Sequence, residues 1–405
     1  MADGITEALG ISQDFKLITG TNGHSRKLKF LITGGCGYFA FELAKSLCNL
    51  GAAVTLLDIH LPGRIEKHLS DHLKFIKGDI QDYESVYKAF HDIDCVFHAA
   101  SFGMSGVDQL NKDKTERINV GGTRNVIKAC QDTGITKLVY TSSYNIVFDG
   151  TPIRNGNETF SVQDTSKFVD YYSITKHEAD RIVLAANGSP VEGGGILYTC
   201  SLRPAGIYGP GERRHIRRIA NYIEAGFIIM KIGNAKCDWV HVNNLIQAHL
   251  LAVCALSTTS QCIAAGKGYF VSDDDPSRVF DFLKPLFNGL GYQVPRYKCP
   301  FVITYSFAFL LEILLYLVQP FLQFEPLMTR NEVLKMEFDH YHTMALARKE
   351  LGYKPKKYDF ADTVDLYLKE RKSECPKKSD VDWIWLGTKL TFLVLLLSVL
   401  LQVCF

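Results

Sequence analysis

Residues 27–40 read KLKFLITGGCGYFA: an apolar run, three glycines in four positions, then the start of a helical pattern. A strand that must turn sharply into a helix has few ways to do so. Glycine at the turn supplies the backbone freedom, and glycine at the helix start leaves room for a pyrophosphate against the helix N-terminus. Gly34 is expected to make the turn and Gly37 to let the backbone approach the phosphates, with Ala40 as the third small position. The next apolar run, Ala53 to Leu57, reads as a buried strand and ends in Asp58. A carboxylate there suits the ribose hydroxyls of a dinucleotide and repels a 2′-phosphate, which favours NAD over NADP; Arg64 nearby softens that preference.

Further strand candidates follow at 73–76, 95–98, 137–141 and 197–202, alternating with helical patterns at 84–90, 123–132 and 176–186. Such alternation predicts an α/β protein, a Rossmann-type doubly wound parallel sheet with helices on both faces. Strand ends should then face the cofactor: Asp79 beside the adenine, and His98 with two alanines where backbone passes close to it.

One constellation carries chemistry. The strand ending in Thr141-Ser142-Ser143 is followed by Tyr172-Ser173-Ile174-Thr175-Lys176. Tyrosine and lysine at i and i+4 share a helix face, and an ammonium near a phenol lowers its pKa toward a usable acid/base. The same spacing recurs at Tyr353 and Lys357, which follow no hydroxyl-bearing strand end and are read as surface residues.

With 45 Lys+Arg against 43 Asp+Glu the net charge is +2, and nothing in that balance argues for nucleic acid. The local cluster Arg213, Arg214, Arg217 and Arg218 is either a solvated helix face or a contact for an anionic substrate or lipid headgroup. Eleven cysteines without pairing periodicity or metal-ligand spacing point to a reduced compartment and no metal.

The expected layout is a flexible extension at 1–26, an NAD-binding domain with the catalytic residues at 27–200, a smaller substrate-binding region at 201–372 and a linker at 373–382. The run WIWLGTKLTFLVLLLSVLLQVCF at 383–405 is then read as a C-terminal transmembrane helix. Basic residues before it and none after place the body of the protein on the cytosolic side. A second apolar stretch, 301–318, is expected either to press into one leaflet or to join the substrate-side core.

Together, TGGCGYFA, Asp58, YTSS at 140–143, YSITK at 172–176 and RPAGIYGP at 203–210 resemble the extended short-chain dehydrogenase/reductases. HAASFGMSG at 98–106 and RPAGIYGPGERRH at 203–215 narrow the resemblance to the 3β-hydroxysteroid dehydrogenase branch and its 42E subfamily. The resemblance implies Tyr172 as acid/base, Lys176 on the nicotinamide ribose and Ser143 orienting the substrate oxygen. It also implies Gly34, Gly37, Tyr38, Asp58, Asp79, His98 and Pro204 around NAD. The implied reaction is hydride transfer at the 3β-hydroxyl of a steroid or sterol, at the endoplasmic reticulum membrane, with membrane lipid around the anchor and a homodimer as one open assembly state. Alternatives are a decarboxylating sterol-4-carboxylate 3-dehydrogenase and a non-catalytic NAD-binding membrane scaffold; nucleotide-sugar epimerase chemistry is more distant.

Overall fold

The first strand, β1 (Lys29–Thr33), shows how the sheet is covered. Successive side chains of a strand point to opposite faces. Phe30 and Ile32 enter one apolar cluster with Leu43 and Leu47 of helix α1 (Tyr38–Asn49). Leu31 enters another with Val126 of α2 (Gly122–Asp132) and Val183 of α3 (Tyr171–Ala185). All three strand residues are fully buried, at about 1.5–3 kcal/mol each. A strand without a polar face needs helices on both sides, and it has them. The structure, a computed structural model, describes residues 27–104, 108–109, 111–160, 164–318 and 326–373.

The remaining strands are β2 (Ala53–Asp58), β3 (Leu73–Lys77), β4 (Cys95–His98), β5 (Lys137–Thr141), β6 (Tyr198–Pro204) and β7 (Lys267–Val271). They form one seven-stranded sheet in the order β7-β6-β5-β4-β1-β2-β3, every pair parallel. The chain winds outward from β1 to β3, then returns to lay β4 on β1's other edge. That reversal opens a crevice above the carboxyl ends of β1 and β4, where ligands of such sheets bind. Helix α5 (Val242–Ala255) shares the first cluster with α1.

Beyond the sheet, short strands make a second layer in the order Ser277–Arg278, Lys236–Cys237, His340–His342, Ile153–Gly156. Helix α4 (His215–Glu224) packs with Phe280, Phe287 and Phe360 in a separate apolar cluster. Helix α6 (Phe301–Val318) buries Phe307, Leu311 and Leu315 and leaves Val302, Phe309, Tyr316 and Leu317 exposed. It packs on α7 (Arg330–Glu337), whose start carries a capping box between Thr329 and Glu332.

Two expectations are corrected. Among the described residues no helix is long and apolar enough to cross a membrane, so the single-pass C-terminal anchor is not upheld. The segment 383–405 on which it rested lies outside the described residues, as do 1–26. Tyr353 is not a surface residue: it is 0 % exposed, and its hydroxyl donates to the Ser272 carbonyl at 2.9 Å.

Candidate active site

At the crevice, Gly34 has φ +64°, and a Cβ there would stand 2.7 Å from the Ala100 Cα. The turn therefore excludes any side chain, and it brings the β1 and β4 loops into contact. Gly37 caps α1 from an extended backbone with no side-chain cap, so the first-turn N–H groups of α1 stay available to an anion. Asp58 ends β2 beside them; its Oδ2 accepts from the Cys36 N–H at 2.9 Å and its Oδ1 from the Ile59 N–H at 2.7 Å. The Tyr38 hydroxyl is buried without a hydrogen-bond partner and lies against Gly209. Burial pushes its pKa up, with Glu42 and Glu212 adding to the effect. An open helix N-terminus, a side-chain-free turn and an orphaned hydroxyl fit the diphosphate half of a dinucleotide.

The other cofactor-side candidates divide. Asp79 holds Gln81, accepting from its N–H at 2.9 Å and its side-chain amide at 3.0 Å. Pro204 ends β6 and pairs with Val271. His98 sits behind the cradle: it is 0 % exposed, with Nδ1 at 2.7 Å from the Thr33 hydroxyl and Nε2 at 2.9 Å from that of Thr123. Burial, reinforced by the Lys176 charge, pushes its pKa down to about 3, so the ring is neutral and ties β1 and β4 to α2.

Helix α3 begins earlier than its apolar pattern suggests, because the Asp170 carboxylate caps it by accepting from the Ser173 N–H at 2.8 Å. Tyr172 and Lys176 thus share the first turns of one helix, both nearly fully buried. The hydroxyls of Ser143 and Ser101 lie against the Tyr172 hydroxyl and pull its pKa down, as does Arg214; burial and Asp170 outweigh them and push it up to about 12. The Lys176 ammonium donates to the Thr141 carbonyl at 2.6 Å and lies 4.1 Å from the Tyr140 ring centre. Burial pushes its pKa down to about 7 against the opposing pull of Asp180. The expected lowering of the phenol by the ammonium is therefore absent from this state, because the lysine is turned to a backbone carbonyl.

Several site neighbours carried no signal that spacing alone reveals. Asn119 lies in a π-helical turn, Arg117–Gly121. Its amide donates to the Phe102 carbonyl at 2.9 Å and to the Thr175 hydroxyl at 3.0 Å, and its oxygen accepts from the Phe102 N–H at 2.8 Å. It thereby fastens the Ser101 loop to α3. The arginine cluster splits: Arg213 pairs with Glu370 at 2.9 Å, and Arg218 with Glu332 at 2.6 Å. One turn beyond Lys176 on α3, Asp180 forms a buried pair with Arg203 of β6 at 2.7 Å. Among the described residues there is no group of side chains able to hold a metal.

A parallel doubly wound sheet, a glycine turn at its switch point and a buried serine, tyrosine and lysine at the adjacent strand end define a short-chain dehydrogenase/reductase architecture. The 3-beta hydroxysteroid dehydrogenase/isomerase family model matches residues 31–301, and the chain belongs to that family. It is 46 % identical over 348 residues to short-chain dehydrogenase/reductase family 42E member 1 of Bos taurus, covering 85 % of this chain and 88 % of the relative. The Homo sapiens protein of that description is 42 % identical over 378 residues, covering 92 % and 95 % of the two chains. The decarboxylating sterol-4-alpha-carboxylate 3-dehydrogenase of Mus musculus is 32 % identical over 337 residues, covering 83 % and 89 %. Among solved structures, the epimerase Mth375 of Methanothermobacter thermautotrophicus superposes with a TM-score of 0.66 at 18 % identity, over 88 % of this chain and 97 % of that one. MoeE5 in complex with UDP-glucuronic acid and NAD gives 0.62 at 18 % identity, over 84 % and 99 %.

Proposed function

We propose that the chain is an NAD-dependent oxidoreductase that interconverts the 3β-hydroxyl and the ketone of a steroid or sterol, with Tyr172 as its acid/base. The observation that carries this reading is the burial of Tyr172 and Lys176 in the first turns of α3, with the Lys176 ammonium on the Thr141 carbonyl at the end of β5 and Ser143 two residues beyond it. NAD, when bound, supplies the hydride acceptor. Gly34, Gly37, Tyr38 and Asp58 hold its adenosine diphosphate half. Ser143 steadies the substrate oxygen, where charge develops. Tyr172 takes the hydroxyl proton during oxidation and returns it during reduction. With a pKa near 12 in the free protein, the phenol starts as a proton donor, ready for the ketone. Oxidation needs the phenolate, and the Arg214 charge favours that form.

A second reading is oxidation of a sterol bearing a 4-carboxylate, with loss of carbon dioxide from the resulting β-keto acid. The mouse relative of that description supports it. Purified protein with NAD, assayed by absorbance of the reduced nicotinamide on matched 3β-hydroxysterols with and without the carboxylate, tests both. Turnover of either sterol supports the first reading, and equal turnover of both removes the second.

A further inference from the structure

Helix α7 brings to Tyr144, the residue after Ser143, one side chain that the scheme above leaves unused. The Lys335 ammonium stands 6.0 Å from the ring centre of Tyr144, the residue directly after Ser143. It makes no hydrogen bond or ion pair with the described residues, although two carboxylates lie within electrostatic range of it, Asp170 and Glu332. Both are committed elsewhere. Asp170 accepts from the Ser173 N–H at 2.8 Å, the Ser173 hydroxyl at 2.7 Å and the Asn331 amide at 2.5 Å. Glu332 accepts from Arg218 at 2.6 Å and from the Thr329 N–H at 2.9 Å.

Tyr144 is committed as well. The His340 Nδ1–H donates to the Phe338 carbonyl at 2.8 Å, which leaves Nε2 to accept from the Tyr144 hydroxyl at 3.3 Å. The two rings stack with an interplanar angle of 3°, so the phenol is fixed as a floor beneath the ammonium. A cation desolvated in this way gains more from an incoming anion than one in water. Burial pushes the Lys335 pKa down, in keeping with an ammonium whose neighbours do not fully compensate it.

We propose that Lys335, above the Tyr144 ring, recognises a carboxylate carried by the substrate close to its reacting carbon. Ser143 and Tyr144 are consecutive residues, so an oxygen held at Ser143 and an anion held over Tyr144 belong to one bound molecule. A single ammonium matches the single charge of a carboxylate better than the double charge of a phosphate monoester. The inference rests on the reading that substrate binds beside Tyr172, and it assigns to Lys335 the anion contact for which the arginine cluster was a candidate.

The test measures binding separately from turnover. A 3β-hydroxysterol 4-carboxylic acid and the same sterol without the carboxyl are titrated into the protein–NADH complex, for wild type, Lys335→Met and Lys335→Arg. The wild type should prefer the acid about tenfold or more, as a charge-assisted contact predicts. Lys335→Met should erase that preference, and Lys335→Arg should keep most of it. No preference in the wild type, or a preference that survives in Lys335→Met, overturns the proposal. So does an equal loss of affinity for both sterols in Lys335→Met, the mark of a structural role. Acid-selective binding without turnover of either sterol would remove the dehydrogenase reading and keep the subsite. Turnover without selectivity would do the reverse.

Discussion

Two tyrosine–lysine pairs with identical spacing occur in this chain, and they have opposite fates. Tyr172 and Lys176 lie on helix α3. The helix puts both on one face, under the end of β5, where two serine hydroxyls meet the phenol and the Thr141 carbonyl receives the ammonium. Tyr353 and Lys357 lie in a stretch without helix or strand. There the tyrosine turns inward to the Ser272 carbonyl, while the lysine reaches outward to Asp275 at 3.1 Å with its side chain 88 % exposed. Spacing acquires chemical meaning only through the element that carries it: four residues bring side chains together in a helix and send them apart in an irregular segment.

Substitutions sharpen that contrast. The largest effect is expected from Tyr172→Phe, which removes the proton-transfer group and should lower turnover by about 10²–10⁴-fold while NADH binding persists. Undiminished turnover would break the assignment. Next comes the pH dependence of stability carried by Lys176. Its folded pKa is down at about 7 against an ordinary 10.5. Between those values the unfolded chain holds a proton that the folded chain lacks, so stability rises with pH by up to ~1.4 kcal/mol per unit; below the lower value the burial cost is fully present. The stability difference between wild type and Lys176→Met, followed by denaturant unfolding from pH 7 to 9, should therefore change with that slope. A flat difference would contradict the burial argument.

The second pair should behave in the opposite sense. Tyr353→Phe leaves the Ser272 carbonyl without its buried donor and should cost about 1–2 kcal/mol of stability with turnover unchanged. Smallest of all, Lys357→Met removes an exposed ion pair and should leave both melting temperature and turnover where they are, as such pairs contribute little.

What could be read in advance follows the same division. The glycine turn, Asp58 and the alternation of strands and helices were legible because each depends on local rules: backbone sterics at Gly34, an unbroken apolar run in β1, a carboxylate at the end of β2. Six of the seven parallel strands fall close to their expected positions, while β7, which pairs with β6 from 63 residues further along, was not anticipated. Burial of Tyr353 was not legible, since its partner Ser272 is 81 residues away. Nor was the role of Asn119, which lies in a π-helical turn and whose partners Phe102 and Thr175 are 17 and 56 residues away. His98 was placed by its position at a strand end, which is correct, yet its ring turns back into the protein because Thr33 and Thr123 occupy both nitrogens. Lys335 was invisible because nothing near it in sequence refers to Tyr144; only the packing of α7 against the start of α3, through Asn331 and Asp170, brings it there.

The claim that the α3 pair is chemical while its twin is structural rests most directly on one comparison: reduction of NAD by a 3β-hydroxysterol, followed by nicotinamide absorbance, for wild type, Tyr172→Phe and Tyr353→Phe. The account predicts turnover in the wild type, its loss in Tyr172→Phe with NADH still bound, and its retention in Tyr353→Phe. Equal turnover in the first two proteins, or loss in the third without loss of folding, would contradict it.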